Sequence, residues 1–186
     1  KATGRSLRSF GGGMFAYPHG LYVDPDGNIW VTDGAASKDG KRGHEAVKFS
    51  PDGKVLMRIG KAGEAGGGTD HLTEPCDVIT DKQGNIYIAD GHGSGGATAA
   101  ADYPARIVKF DRNGKYLKEW GRRGKGPGEF MNPHALAFDS QGRLFVADRF
   151  NFRVQIFDQE GTFIDAWTQF GGAADVFIDK NDTLYV

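Results

Sequence analysis

A ten-residue stretch, Asp24-Pro-Asp-Gly-Asn-Ile-Trp-Val-Thr-Asp33, returns as Asp81-Lys-Gln-Gly-Asn-Ile-Tyr-Ile-Ala-Asp90 and again as Asp139-Ser-Gln-Gly-Arg-Leu-Phe-Val-Ala-Asp148, and a shorter copy runs from Asp179 to Val186. Each copy sets a turn between short runs rich in β-branched and aromatic residues, the pattern of a β-hairpin. A second hairpin follows each of the first three copies, turning at Gly53, Gly114 and Gly161. One repeat is therefore four antiparallel strands, and its spacing lies near the roughly 40 to 50 residue period of propeller blades. Residues 38–44 and 91–101 lengthen the loops within the first two repeats, and residues 61–71 and 122–132 lengthen the connectors between repeats. Insertions of this kind cost least in surface loops.

The expected fold is all-β, a β-propeller of four-stranded antiparallel blades. Residues 17–60, 75–121 and 133–168 read as complete blades, here called blades one, two and three. Residues 1–16 read as the last strand and connector of a preceding blade, and 173–186 as the opening of a fourth. A propeller closes on itself to remove its edge strands. The expectation is thus three complete and two partial blades of a larger ring whose remaining blades lie outside these residues.

Twenty-three basic residues against 24 acidic ones give a net charge of −1, so nothing points to a polyanion surface, and the run Arg122-Arg123-Gly-Lys125 reads as a solvated loop. No apolar run approaches the roughly 20 residues of a membrane helix. No signal peptide is visible, and the single Cys76 excludes an internal disulfide. No Ser-His-Asp or phosphate-loop pattern occurs, because the glycine-rich stretches lack the strand-to-helix context and the terminal Lys-Ser/Thr.

Pro18-His19-Gly20-Leu21 and Pro133-His134-Ala135-Leu136 occupy the same place in blades one and three. Equivalent slots in a ring face a shared centre, so both imidazoles can converge on its axis. Zinc binds imidazole nitrogen at roughly 2.0 Å, and a catalytic zinc needs three protein ligands and an open position. Two imidazoles that hydrogen-bond at a channel mouth are the alternative. Blade two has Cys76 in that slot and the fourth copy has Ala173-Ala174-Asp175, so a third histidine is expected from beyond Val186. His44 and His71 lie among glycines and charges and read as solvated. Trp30, Phe49, Tyr87, Phe110, Phe145 and Phe157 repeat at equivalent positions and read as packing between blades. Asp33, Asp90 and Asp148 close the second strand of each blade and are expected to cap the turn that follows.

The Gly-turn hairpins, the recurring ending seen in Trp30-Val-Thr-Asp33 and Phe145-Val-Ala-Asp148, and the segment Arg106-Ile-Val-Lys-Phe-Asp111 resemble the NHL-repeat family of six-bladed propellers. Tyr17-Pro-His-Gly-Leu-Tyr-Val-Asp24, Glu74-Pro-Cys-Asp-Val78 and Gly128-Glu-Phe-Met-Asn-Pro-His-Ala-Leu136 extend the resemblance to its peptidyl-α-hydroxyglycine α-amidating lyases. That likeness implies C–N cleavage of a hemiaminal to an amide and glyoxylate, on a small-molecule or peptide-derived substrate, in an extracytoplasmic or secreted setting. It implies zinc on three histidines, of which His19 and His134 match the first two. It further implies a calcium ion held partly by the backbone carbonyl of Leu21, and a substrate carboxylate held by Arg149. A second carboxylate arginine of those enzymes lies in an earlier blade. Their catalytic tyrosine follows Asp-Gly in blade two, where this sequence has Asp90-Gly91-His92. That departure leaves His92 or Tyr103 as general base, or a protein without the chemistry. A non-catalytic propeller that binds a protein or ligand, and a lactonase-like metal hydrolase, are the other functional readings.

Overall fold

Aspartate builds the hairpin turns, except that Ser50 takes its place in the second hairpin of blade one. Asp24 accepts the amides of Asp26 and Asn28 on Oδ1 at 3.1 and 2.8 Å, and Asp81, Asp111, Asp139, Asp158 and Asp179 each accept the amides two and four residues on in the same way. The residue three after the aspartate must take positive φ, which glycine does without strain. Only the last of these turns uses another residue there, Asp182 at φ 59°.

A computed structural model describes residues 4, 6, 8–93 and 103–186. Blade one contains β1 (Pro18–Val23), β2 (Ile29–Asp33), β3 (Glu45–Phe49) and β4 (Val55–Gly60). Blade two contains β5 (Pro75–Thr80), β6 (Ile86–Asp90), β7 (Arg106–Phe110) and β8 (Tyr116–Trp120). Blade three contains β9 (Pro133–Phe138), β10 (Leu144–Asp148), β11 (Arg153–Phe157) and β12 (Phe163–Trp167), and a hairpin of β13 (Phe177–Ile178) and β14 (Leu184–Tyr185) follows. Strands pair antiparallel in chain order within each blade, the first strands of successive blades lie side by side, and the sheets do not close a ring. Residues 8–16 form turns and coil rather than the strand expected there, with Phe10 packed on Phe49 at 5.4 Å between ring centroids.

The apolar cores lie between blades. Trp30, Val78, Ile88, Val108 and Phe110 join blades one and two; Tyr87, Ile107, Phe130, Leu144 and Phe157 join blades two and three; Phe145, Ile156, Ala173 and Val176 join blade three to the last hairpin. Full burial of one such large side chain contributes about 1.5–3 kcal/mol. Trp30, Tyr87, Phe110, Phe145 and Phe157 therefore pack between blades, as their spacing predicted, while Phe49 packs on Phe10 and Phe15 of the N-terminal segment.

The aspartates at the ends of the second strands act differently from expectation. They reach back to the segment that enters the first strand, and in blade three Asp148 also holds the turn that follows, accepting from Asn151 Nδ2 at 2.7 Å. Asp33 accepts the amides of Ala16 and Tyr17, Asp90 those of Thr73 and Glu74, and Asp148 those of Met131 and Asn132. Those amides precede the strand ladder and so find their partner in the carboxylate instead. In blades two and three an arginine completes the clamp, Arg106 on Asp90 and Arg153 on Asp148, both at 3.0 Å. His44 also departs from expectation. It is buried, and its Nδ1 donates to the carbonyl of Thr73 in the connector that enters blade two.

Candidate metal centre

The first strand of each blade starts with a β-bulge. Pro75 pairs with Asp90 and Asp77 with Ala89; Pro133 pairs with Asp148 and Ala135 with Ala147. Cys76 and His134 are thus the extra residues. In β1 one extra residue falls between Pro18, opposite Asp33, and Leu21, opposite Val31. Bulges re-aim a side chain out of strand alternation. Here they turn His19 and His134 toward each other, with ring centroids 4.8 Å apart. Gly20 sits in the β1 bulge because a Cβ there would stand 2.5 Å from the carbonyl oxygen of Cys76.

The same slot in blade two faces the opposite way. Cys76 is fully buried in the core between blades two and three, and burial pushes its thiol well above the usual range. Blade two supplies its imidazole from the turn after β6. Gly91 at φ 128° and Gly93 at φ 65° flank His92, and the amides of Gly91 and His92 both donate to the carbonyl of Glu74. The turn carries the His92 ring to 4.8 Å from His19 and 5.3 Å from His134, centroid to centroid. Blade two itself thus brings a third imidazole to the pair. It was not legible as such because convergence depends on two consecutive departures from strand geometry; the glycines on either side of His92 were the available signal.

The three residues are half-buried, and one ligand nitrogen from each falls within 4.8 Å of the others. The Nδ1 of His19 donates to the Cys76 carbonyl at 2.8 Å, and that of His134 to the Ala174 carbonyl at 2.6 Å. A carbonyl oxygen only accepts, so both Nδ1 atoms carry protons, and a neutral ring so held offers its lone pair at Nε2, the arrangement that outer partners impose on metal-binding histidines. Burial, then the charge of His19, lowers the pKa of His92; burial first lowers that of His134 to about 4, with His19, His92 and Arg149 adding to the effect. Both shifts favour the neutral rings of His92 and His134, the form a metal requires. Three imidazole nitrogens are the number of protein ligands a catalytic zinc takes.

Arg149 opens the 3-10 turn after β10 (Arg149–Asn151) and brings Nη1 to 3.5 Å from Nε2 of His134. The expected carboxylate ligand thus adjoins the histidines. Tyr103 does not. It lines a separate cleft with Gly67, Arg106, Glu119 and Arg122, because the chain re-enters β7 beside the connector into blade two. His71 stays in that connector between Asp70 and Glu64. Leu21 lies on the wall of a cleft of about 240 Å³ with His19, Asp77, His134 and Asp175, which continues into one of about 450 Å³ past Ile79 and Phe138.

The NHL-repeat family model matches residues 15–38 and 130–157, segments that include His19 and His134. Peptidyl-glycine alpha-amidating monooxygenase B of Xenopus laevis is 38% identical over 87% of this chain, which spans 18% of that protein. Peptidyl-alpha-hydroxyglycine alpha-amidating lyase 1 of Drosophila melanogaster is 34% identical over 87% of the chain, which spans 29% of it. Among solved structures, the gluconolactonase XC5397 of Xanthomonas campestris superposes with a TM-score of 0.63 at 20% identity, covering 89% of this chain and 51% of that one, a likeness of fold.

Proposed function

As a member of the NHL-repeat family of β-propellers, the chain carries three grouped imidazoles with a guanidinium beside them, and we propose that it is a metal-dependent lyase that cleaves the C–N bond of a carboxylate-bearing hemiaminal, with amide and glyoxylate as products. The observation that carries this reading is the meeting of His19, His92 and His134 with their ligand nitrogens within 4.8 Å. They would hold zinc, which when bound supplies a Lewis acid that acidifies a substrate hydroxyl. Arg149 would take the substrate carboxylate in a bidentate pair. His19 and His134 keep their Nε2 atoms aimed inward through their carbonyl partners. The reaction consumes no net acid, since the hydroxyl loses one proton as the departing amide nitrogen gains one. The names of the two relatives above support the substrate class. His92 stands where the resemblance puts a tyrosine, and this favours one second reading, a metal-bearing propeller that binds a ligand without turning it over.

The test is release of glyoxylate from a peptidyl-α-hydroxyglycine by the zinc-loaded, full-length protein. Turnover that a chelator abolishes and zinc restores is expected, and Arg149→Ala should lower kcat/KM by about 2–4 kcal/mol, the cost of truncating one partner of a buried charge pair. Zinc bound with no glyoxylate above the uncatalysed rate would overturn the lyase reading in favour of the binding one.

A further inference from the structure

Asn132 is fully buried immediately before Pro133-His134. Its Nδ2 donates to the main-chain carbonyl of His92, its own carbonyl accepts the amide of Arg149 at 3.0 Å, and its amide donates to Asp148 at 3.3 Å. The amide orientation follows from chemistry: the His92 carbonyl can only accept, so the amino group faces it. This leaves Oδ1 buried with no hydrogen-bond partner among the described residues. An unpaired buried amide oxygen is unfavourable, and an apolar side chain of similar size would avoid that cost. The turn it grips is closely fitted: a Cβ at Gly93 would stand 3.3 Å from the Met131 carbonyl and 3.8 Å from Asn132 Nδ2.

We propose that Asn132 is a positioning residue of the metal centre, whose side-chain amide ties the His92 turn of blade two to the start of β9 and so sets His92 against His134. The proposal rests on the reading that the three imidazoles share a metal, and it acts through the carbonyl of His92 rather than through any contact with substrate. Its main-chain bonds to Asp148 and Arg149 survive any side-chain change, so the tie to His92 is separable from the rest.

The experiment titrates zinc and cobalt into the intact protein, its Asn132→Val and Asn132→Asp variants, and the same changes in a His92→Ala background. Asn132→Val should weaken metal binding about 10- to 100-fold, the usual cost of losing an outer partner, and alter the cobalt absorption spectrum, with the thermal midpoint held or raised. Asn132→Asp should weaken binding at least as much, because a carboxylate repels the His92 carbonyl. Neither change should matter once His92 is alanine. An equal loss in both backgrounds, or no loss, would overturn the proposal. In metal-free protein, NMR cross-peaks between the His92 and His134 rings should be present and should vanish in Asn132→Val. Their persistence would overturn the proposal independently, so a wild type that takes no metal sinks the metal reading while Asn132 is still decided.

Discussion

Blades one and three send an imidazole inward from the bulge after their proline, whereas blade two buries a thiol at that place and sends its imidazole from the turn after β6. The backbone is the same in outline: all three first strands start with proline opposite the clamp aspartate and then gain a residue. What differs is whether the bulged side chain belongs to the channel or to the core between blades. Cys76 packs with Tyr87, Phe130 and Leu136, so blade two has apolar contact where its neighbours present an imidazole. Its Gly91-His92-Gly93 turn brings an imidazole in from another direction. A repeat thus fixes where a side chain can be delivered without fixing which element delivers it.

The comparison breaks most severely at a ligand from the bulge. His134→Ala should lower zinc affinity by more than about 100-fold, beyond the 10- to 100-fold of an outer partner, measured by chelator competition. Next, Gly91→Ala attacks the delivery of His92, since a Cβ there would stand 2.2 Å from the Pro104 carbonyl at φ 128°. A loss of about 3 kcal/mol is expected in urea unfolding, with zinc affinity falling alongside. Unchanged zinc binding in a folded Gly91→Ala protein would show that blade two does not act through this turn.

Cys76→Ser sharpens the contrast from the other side. Burying a hydroxyl in place of the thiol should cost about 1–2 kcal/mol of stability and leave zinc content unchanged, as ion analysis would show. A zinc loss would make the thiol a ligand and abolish the difference between the blades.

The smallest effect concerns the residue after the bulge, which is Gly20, Asp77 or Ala135 in blades one to three. Burial pushes the Asp77 carboxyl up to about 7 from 3.8, against the lowering effect of the Leu136 and Val78 amides and with Asp175 adding to the rise. The folded protein therefore keeps a proton between about pH 4 and 7 that the unfolded chain has lost. Stability should fall as pH rises through that window, by about 1 kcal/mol once partial solvent access is allowed for, and stay level above it. Asp77→Asn should flatten this slope in unfolding midpoints measured from pH 4 to 8; an unaltered slope would assign it to another group.

Much of this was legible in the sequence. The Asp-x-x-Gly turns gave the hairpins, the repeated aromatics gave the packing between blades, and matching Pro-His slots brought His19 and His134 together. The bulges were not legible, because they are a property of hydrogen-bond register that leaves no residue signature. The aspartate clamps were read in the wrong direction for a related reason: a carboxylate at a strand end can serve either neighbour, and only the chain path decides. His44 was misplaced because loop length does not tell which connector passes beside it.

The central claim is that His92 of blade two completes a three-histidine centre with His19 and His134. X-ray absorption on the zinc-loaded protein and its His92→Ala variant tests it most directly. The account predicts a shell with three imidazole nitrogens at about 2.0 Å, falling to two in the variant. A sulfur scatterer at about 2.3 Å, or an imidazole count that does not change when His92 is removed, would contradict it.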